Sequence, residues 1–177
     1  MPGNERYKIP KTLRQVTLWV HPEGPVVGSL FLSLYTKNSL GAEDPATVMN
    51  EATPFLVLRQ TDPEEFRFYN KKAIIRVEYP QEEDPPEEGM TTLYCQMTLM
   101  DGSYIEGMVR CVLPPDHARL YDYLNLAHEQ FAKLHLEDGR VCLVNKAYVM
   151  SVAPLTPQAR AEPRYPSDAV EIDEMSV

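Results

Sequence analysis

The chain has 177 residues and a formal net charge of −9, and this charge is unevenly distributed. Residues 1–77 carry a net charge of +2 and residues 91–154 one of −2, whereas residues 78–90 carry −6 and residues 155–177 carry −3. The acidity therefore lies in a linker and a tail, and the nearly neutral remainder lacks the basic excess that is typical of nucleic-acid-binding proteins.

Two stretches of the sequence resemble each other at a separation of 75 residues. The matching pairs are VTLWV at 16–20 with TTLYC at 91–95, MNEA at 49–52 with LNLA at 124–127, and YNK at 69–71 with VNK at 144–146. Gly28 matches Gly107 at a separation four residues longer than that of the other pairs. The connection that follows is four residues shorter in the second stretch, so the later pairs return to the separation of 75. Because self-similarity at a fixed period indicates repeated structural units, we predict one fold unit that occurs twice.

The first unit has the pattern of strands with one short helix. Apolar side chains recur at every second position in residues 16–20 and 28–34, which predicts two strands, and the HPEGP segment at 21–25 predicts the turn between them. Asp44 followed by Pro45 is typical of a helix start, because it places an acid at the N-cap and proline in the first turn. Further strands are predicted at 55–58, before the Asn-Lys pair, and at 74–77.

The second unit repeats this order. Residues 93–99 and 105–113 carry apolar side chains at alternate positions, and Asp101-Gly102 predicts the hairpin turn between them. A helix is predicted after Asp116. The residues expected on its packed face are Leu120, Tyr121, Leu124 and Ala127 or His128. Later strands are predicted at 131–136, after the turn at 137–140, and at 149–152.

These patterns predict a mainly β protein built from two tandem small β-barrels, each with the order β-β-α-β-β-β. We expect the first barrel in residues 1–78 and the second in residues 91–154, joined by an acidic, proline-rich linker at 79–90. Residues 155–177 are expected to form a disordered acidic tail, which is either solubilising sequence or a peptide that docks on another protein. Because a unit of about 70 residues buries little surface alone, we expect the units to pack together or the chain to self-associate.

The end of the second unit resembles a known family. RVCLVNKAYVMSVAP at 140–154 is similar to the closing motif of the Sm-like small barrels, which include the bacterial Sm-like RNA chaperones, and DGSYIEG at 101–107 is similar to the strand–glycine region that precedes it. Unlike that family, the chain has a predicted helix between the second and third strands. The resemblance implies an SH3-like small-barrel fold and a link to RNA binding. The duplicated pattern also resembles a bacterial family, a resemblance that implies a fold and no activity.

One polar pair, Asn-Lys, occurs before the last strand of both units. A lysine at the rim of a barrel could contact a phosphate, and the asparagine could bind a base by two hydrogen bonds. Alternatively, the asparagine adopts a left-handed or turn conformation and the lysine is solvated. With the neighbouring basic residues of the first unit, the candidate anion- or RNA-binding residues are Arg67, Asn70, Lys71, Lys72, Arg76, Asn145 and Lys146.

Two aromatic residues, Trp19 and Tyr94, occupy matching positions in the repeat and point away from Leu18 and Leu93. One interpretation is an exposed platform on which bases stack. The other is burial against the helix or against the second unit.

No sequence pattern that is typical of an enzyme is present. There is no glycine-rich phosphate loop, no GxSxG motif and no Cys-His-acid combination. The histidines, which form no HxxxH or HExxH pair, are His21, His117, His128 and His135. We therefore predict a protein without catalytic activity, metal or cofactor.

Cysteine usage and the N-terminal sequence indicate the compartment. Cys95, Cys111 and Cys142 are an odd number without a CxxC pair, which is typical of small buried hydrophobic residues in a reducing environment. The first residues lack the apolar core of a signal peptide, and no apolar run reaches about 18 residues. We expect a cytoplasmic protein that does not contact a membrane.

Two binding functions remain as hypotheses. The first is a protein-interaction or assembly module that presents an open strand edge and the acidic tail to a protein partner or to another copy of itself. The second is an RNA-binding or translation-linked regulator of Sm-like type. The neutral charge of the two units favours the first hypothesis.

Overall fold

The computed structural model describes residues 10–34, 43–82, 89–112, 114 and 119–156. Over these residues the protein is mainly β, with ten strands in one antiparallel sheet and two short α-helices. The predicted fold class is thereby confirmed at this level. Residues 157–177 of the predicted disordered tail lie outside the described residues, as do residues 83–88 of the predicted linker.

The first half of the protein, residues 11–80, and the second half, residues 91–154, have the same order of elements. The elements of the first half are β1 Lys11–Val20, β2 Gly24–Ser33, α1 Pro45–Asn50, β3 Phe55–Gln60, β4 Glu65–Asn70 and β5 Ile74–Pro80. Those of the second half are β6 Thr91–Leu99, β7 Tyr104–Cys111, α2 Leu120–Leu124, β8 Phe131–His135, β9 Arg140–Asn145 and β10 Val149–Pro154. Short 3-10 helices, Lys71–Ala73 and Lys146–Tyr148, precede β5 and β10. Tyr79 and Pro80, which we predicted at the start of the linker, belong to β5.

The sheet joins the two halves edge to edge. Its strand order is β10-β6-β7-β8-β9-β5-β1-β2-β3-β4, so the two halves meet where β9 pairs with β5. Within each half the strands follow the same spatial order, with the last strand beside the first. Among the described strands the pairing closes neither half into a barrel, so the two tandem small barrels that we predicted are not confirmed. The order has two ends instead, β4 and β10.

The pairing corrects the alignment of the two halves. Val16 pairs with Gly28, and Cys95 pairs with Gly107, so β1 and β6 correspond at a separation of 79 residues. The predicted separation of 75 is wrong for this pair of strands, and Trp19 therefore does not correspond to Tyr94. An alternating pattern cannot distinguish the two alignments, because a shift by four residues leaves the inward and outward positions unchanged.

Two glycines permit β2 and β7 to cross closely over the next strand. A Cβ atom added to Gly28 would lie 2.6 Å from the carbonyl oxygen of Arg59, and one added to Gly107 would lie 3.0 Å from that of His135. Both separations are shorter than ordinary contacts between a side chain and the backbone. A side chain at position 28 would therefore force the backbone to shift, whereas one at position 107 would require its neighbour to move by a few tenths of an ångström.

The two helices begin in different ways. Asp44 accepts a hydrogen bond from the backbone of Ala46 at 3.2 Å and caps α1, as predicted. Helix α2 begins after Arg119, which makes no side-chain cap, and the predicted cap Asp116 lies outside the described residues. Tyr123 of α2 is buried. Tyr121 is exposed, and so are Ala127 and His128, which lie beyond the end of the helix at Leu124, so the predicted packed face is wrong for these three residues. A helix of five residues is too short for its apolar spacing to establish which face packs.

The core is shared between the halves. The apolar cluster of the first half contains Phe131, Val141 and Leu143 of the second half, and Ile75 of the first half packs against the cluster of the second. The halves thus pack on each other, as their small size led us to expect.

The three cysteines are free and buried, as predicted. Burial raises the pKa of Cys95 to about 11 and that of Cys142 to about 12. Both thiols are therefore held in the protonated, unreactive form. None of the helices in the described part of the chain is long and apolar enough to cross a membrane.

Candidate functional site

Lys71, one of the predicted anion-binding residues, lies inside the protein. Only 2% of its surface is exposed, and its Nζ atom donates hydrogen bonds to the carbonyls of Val48 at 2.5 Å and Glu51 at 3.0 Å. Lys146 makes the corresponding contact in the second half, where its Nζ donates to the carbonyl of Leu126 at 3.1 Å. Burial lowers the pKa of both lysines, against the smaller effect of a neighbouring glutamate. Each lysine therefore holds the segment after its helix against the sheet, and the hypothesis of a solvated rim lysine is wrong for Lys71.

The two asparagines of the Asn-Lys pairs cap the 3-10 helices. Asn70 accepts a hydrogen bond from the backbone of Lys72 at 3.0 Å, in support of the turn interpretation. Asn145 accepts the corresponding bond from Ala147 at 3.0 Å. Their φ angles of −71° and −67° are not left-handed. The two asparagines differ in their surroundings. The amide NH2 group of buried Asn145 donates a hydrogen bond across the junction to the carbonyl of Ile74 at 2.8 Å, whereas the side chain of Asn70 is exposed.

The remaining predicted basic residues are mostly engaged with acids. Arg67 forms ion pairs with two glutamates, one of which is Glu23 at 3.2 Å. Arg76 pairs with Glu78 at 2.9 Å. Lys72 is exposed. The seven predicted residues therefore do not come together as one basic surface.

The predicted aromatic platform is also not formed. Trp19 is half-buried, and the guanidinium of Arg76 lies over its ring at 4.0 Å from the ring centre, which is a cation–π contact. Tyr94 is half-buried as well and lies at a different position of its strand. The face of Trp19 is thus occupied by a residue of the protein itself.

A surface that we did not predict lies at the β4 end of the sheet. Four outward-facing side chains of β3 and β4 are apolar and exposed, to 54% for Phe55, 38% for Val57, 64% for Phe66 and 69% for Phe68, and they share this face with Arg59 and Asn70. We call these four residues the β3–β4 apolar face. Strand β4 is the last strand of the order, so its outer edge has no partner among the described strands. Apolar side chains beside an unpaired edge are typical of a surface that binds another chain.

A signal for this surface was present in the sequence. Residues 55–58 are FLVL and residues 66–69 are FRFY, so that both strands carry large apolar side chains on both faces. A strand with one solvated face normally alternates apolar and polar residues, and apolar side chains on both faces indicate a strand that is covered on both sides.

The corresponding surface of the second half is covered. Phe55 pairs with Asn70, and Phe131 pairs with Asn145, which makes β3 and β4 the counterparts of β8 and β9. Phe131 is 0% exposed, and the other apolar side chains of this surface, Val141 and Leu143, are buried with it in the cluster of the first half. The surface that is open on the first half is therefore an internal contact on the second.

Asp44 and Lys133 form an ion pair at the junction, beside a polar cavity of about 450 Å³. Asp44 accepts hydrogen bonds from Lys133 at 2.5 Å and from the hydroxyl of Tyr79 at 2.8 Å. Burial acts to raise the pKa of Asp44, but Lys133 and Tyr79 together outweigh it and hold the pKa below its usual value. Within the described residues, no group of three or more His, Cys, Asp and Glu side chains is arranged to hold a metal ion. The ion pair joins the two halves, and the hydrogen bond from Tyr79 fixes Asp44 from within the first half.

No protein-family model matches the chain, and neither the curated proteins nor the solved structures compared with it include a match.

Proposed function

We propose that the protein is a non-enzymatic protein-interaction or assembly module, built from two small β-barrels of Sm-like type, whose β4 edge receives a strand of a partner protein. The common order of elements and of paired strands supports two copies of one unit. The glycine crossings support the strong bending that a small barrel requires. The closing motif at 140–154 supports the Sm-like type.

The observation that carries the proposal is the β3–β4 apolar face beside an unpaired strand. Strand addition at a sheet edge supplies main-chain hydrogen bonds, and neighbouring apolar side chains add the area that stabilises the contact. Native proteins usually protect an exposed edge with charges, proline or a covering element. Strand β4 carries the charges of Glu65 and Arg67 on one face but presents Phe66 and Phe68 to solvent on the other.

An RNA-binding regulator is the second hypothesis, and the positions of its candidate residues do not favour it. We expect no binding of short U-rich or A-rich RNA tighter than about 10⁻⁶ M at physiological salt. Fluorescence polarisation with labelled RNA measures this. A submicromolar, salt-sensitive complex that is weakened by exchange of the exposed Lys72 for Glu would favour the RNA hypothesis instead.

Photocrosslinking in cells tests the proposed protein contact. A photoreactive amino acid is placed at position 68 of the full chain, and a matched control carries it at position 104, where Tyr104 is similarly exposed at 64%. We expect a discrete protein adduct from position 68 and none from position 104. Equal adduct yields at the two positions, or none at either, would contradict the proposal.

A further inference from the structure

The junction between the two halves shows how a strand can pair with the outer edge of a fourth strand. Strand β9 pairs with β5 in an antiparallel ladder, in which Arg76 lies opposite Val144 and Val77 opposite Leu143. The corresponding strands are β4 for β9 and β10 for β5, and these two are the ends of the sheet. The described strands therefore form one complete contact between a fourth and a fifth strand, and they carry the two parts of a second such contact at the ends of the sheet.

The apolar groups of the internal contact have exposed counterparts at both ends. At the β4 end, Phe66 and Phe68 correspond to Val141 and Leu143, which are buried at the junction. At the β10 end, Met150 corresponds to Ile75, which packs against the core of the second half. Met150 itself is 64% exposed. Each end thus carries the apolar surface that the other end would cover.

Two asparagine contacts across the junction also have exposed counterparts. The side chain of Asn50 accepts a hydrogen bond from the backbone N–H of Phe131 at 2.8 Å and donates one to its carbonyl at 3.2 Å. Asn125 is the counterpart of Asn50, 75 residues later. It is exposed at the end of α2, where its amide NH2 group donates to the carbonyl of Tyr121 at 2.8 Å, a bond that it would exchange for the backbone of a partner. Phe55 is the counterpart of Phe131 and lies at the β4 end.

The second asparagine contact across the junction, that of Asn145, also has an exposed counterpart. Asn145 donates to the carbonyl of Ile74 across the junction, and its exposed counterpart Asn70 lies at the β4 end. The carbonyl that corresponds to that of Ile74 belongs to Val149, the first residue of β10. The two ends therefore carry complementary hydrogen-bonding groups as well as apolar groups.

We propose that the partner at the β4 edge is a second copy of this protein, which docks its β10 edge there in the manner in which β5 docks on β9 within one chain. This inference rests on the proposed function and names its partner. In the intermolecular ladder Ser151 lies opposite Tyr69, and Val152 lies opposite Phe68. Asn125 binds the backbone of Phe55, and Asn70 binds the carbonyl of Val149.

The contact is heterologous, because it uses a different surface on each copy. When two copies bind, the pair still has one open β4 end and one open β10 end. Further copies can therefore add until the assembly closes as a ring, or it grows as a filament. It therefore differs in stoichiometry from a twofold dimer, in which the same surface of both copies would be used.

Complementation of two variants tests this contact with the full chain. Phe68→Glu places a charge on the apolar surface of the β4 end, and Met150→Glu places one on that of the β10 end. Each variant should therefore be unable to use that end for docking. Light scattering coupled to gel filtration at up to about 100 µM is expected to give an assembly larger than a dimer for the unchanged protein, and a monomer for each variant alone. An equimolar mixture is expected to give a one-to-one dimer, because one intact β4 end and one intact β10 end remain. Tyr104→Glu, the control, is expected to assemble like the unchanged protein.

A monomeric unchanged protein overturns the inference, as does a simple dimer that both variants abolish and the mixture does not restore. Circular dichroism and thermal unfolding verify that the variants fold. If Met150→Glu does not fold, Asn125→Ala is used in its place. This variant is expected to weaken assembly by at least about tenfold without abolishing it.

The crosslinking at position 68 separates this inference from the proposed function. An adduct between two copies, with the crosslink mapped to β10, supports both. An adduct with a different protein leaves the proposed function intact and overturns self-assembly. A crosslink to residues 1–9 or 157–177 of the same chain, or no adduct, overturns both.

Discussion

Strands β3 and β4 of the first half and strands β8 and β9 of the second half occupy corresponding places in the sheet, but their surroundings are opposite. In the second half their outer apolar side chains lie in the core of the neighbouring half. In the first half the corresponding side chains face solvent. The comparison teaches that one pattern of apolar residues serves as core or as docking surface according to whether a neighbouring unit covers it.

The two regions also differ in charge. Across the internal junction Lys133 pairs with Asp44, and Arg140 pairs with Glu78. At the open end, Val57 and Glu65 take the places of Lys133 and Arg140. The internal junction thus combines ion pairs with apolar burial. Contact at the open end depends on apolar area and on backbone hydrogen bonds, and we expect it to be less sensitive to salt.

The largest expected difference between the regions follows from placing the same charge at corresponding positions. Leu143→Glu buries an unpaired carboxylate and is expected to cost about 4 kcal/mol or more of the free energy of unfolding. Phe68→Glu places it in solvent and is expected to change the stability of the monomer by less than about 0.5 kcal/mol. Urea unfolding at low protein concentration measures both. Similar losses would mean that the β3–β4 apolar face is covered within the monomer.

The corresponding residues Asn50 and Asn125 are also expected to differ in their contribution to stability. Asn50→Ala leaves the N–H and the carbonyl of Phe131 without their partner and is expected to cost about 2 kcal/mol of stability. Asn125→Ala is expected to cost less than about 0.5 kcal/mol in the monomer, because Asn125 is exposed. The same urea titrations test this, and equal costs would contradict the assignment of the two residues to a filled and an open contact.

The glycine crossings are expected to differ by a smaller amount. A Cβ atom at Gly28 meets the Arg59 carbonyl at 2.6 Å, whereas one at Gly107 meets the His135 carbonyl at 3.0 Å. We therefore expect Gly28→Ala to cost about 2 kcal/mol and Gly107→Ala about 1 kcal/mol. Thermal unfolding of the two variants checks the order. A larger loss at Gly107 would show that the first half is the looser of the two at this crossing.

The smallest effect concerns the ion pair at the junction. Asp44 has a pKa in the folded protein below its value of 3.8 in the unfolded chain, so its contribution to stability is present above pH 3.8 and is lost as the pH falls through the lower value. Asp44→Asn is expected to cost about 1 kcal/mol or less at neutral pH, because the pair is partly exposed. The difference from the unchanged protein is expected to vanish in acid. Stability curves of both proteins from pH 7 to about pH 2 measure this, and a difference that persists at the acid end would exclude the ion pair as its cause.

Much of the fold could be predicted because its signals are local. The alternation of apolar residues predicted the strands, Asp101-Gly102 predicted a turn, and Asp44-Pro45 predicted the start of α1. The candidate site was predicted less well. The Asn-Lys pair was found because it occurs in both halves, but the sequence could not show that Lys71 is enclosed by carbonyls of a segment about 20 residues earlier. Burial of that kind depends on tertiary contacts.

Short-range sequence signals predicted the order β-β-α-β-β-β in both halves, because periodicity, caps and turns act over a few residues. The tertiary structure was needed to establish how β1 aligns with β6, since an even shift keeps every side chain on its own face. It also decided which apolar strands are covered. Leu143 is buried and Phe68 is exposed because β5 pairs with the outer edge of β9, whereas no described strand pairs with the outer edge of β4. Such neighbours are set by packing between distant parts of the chain.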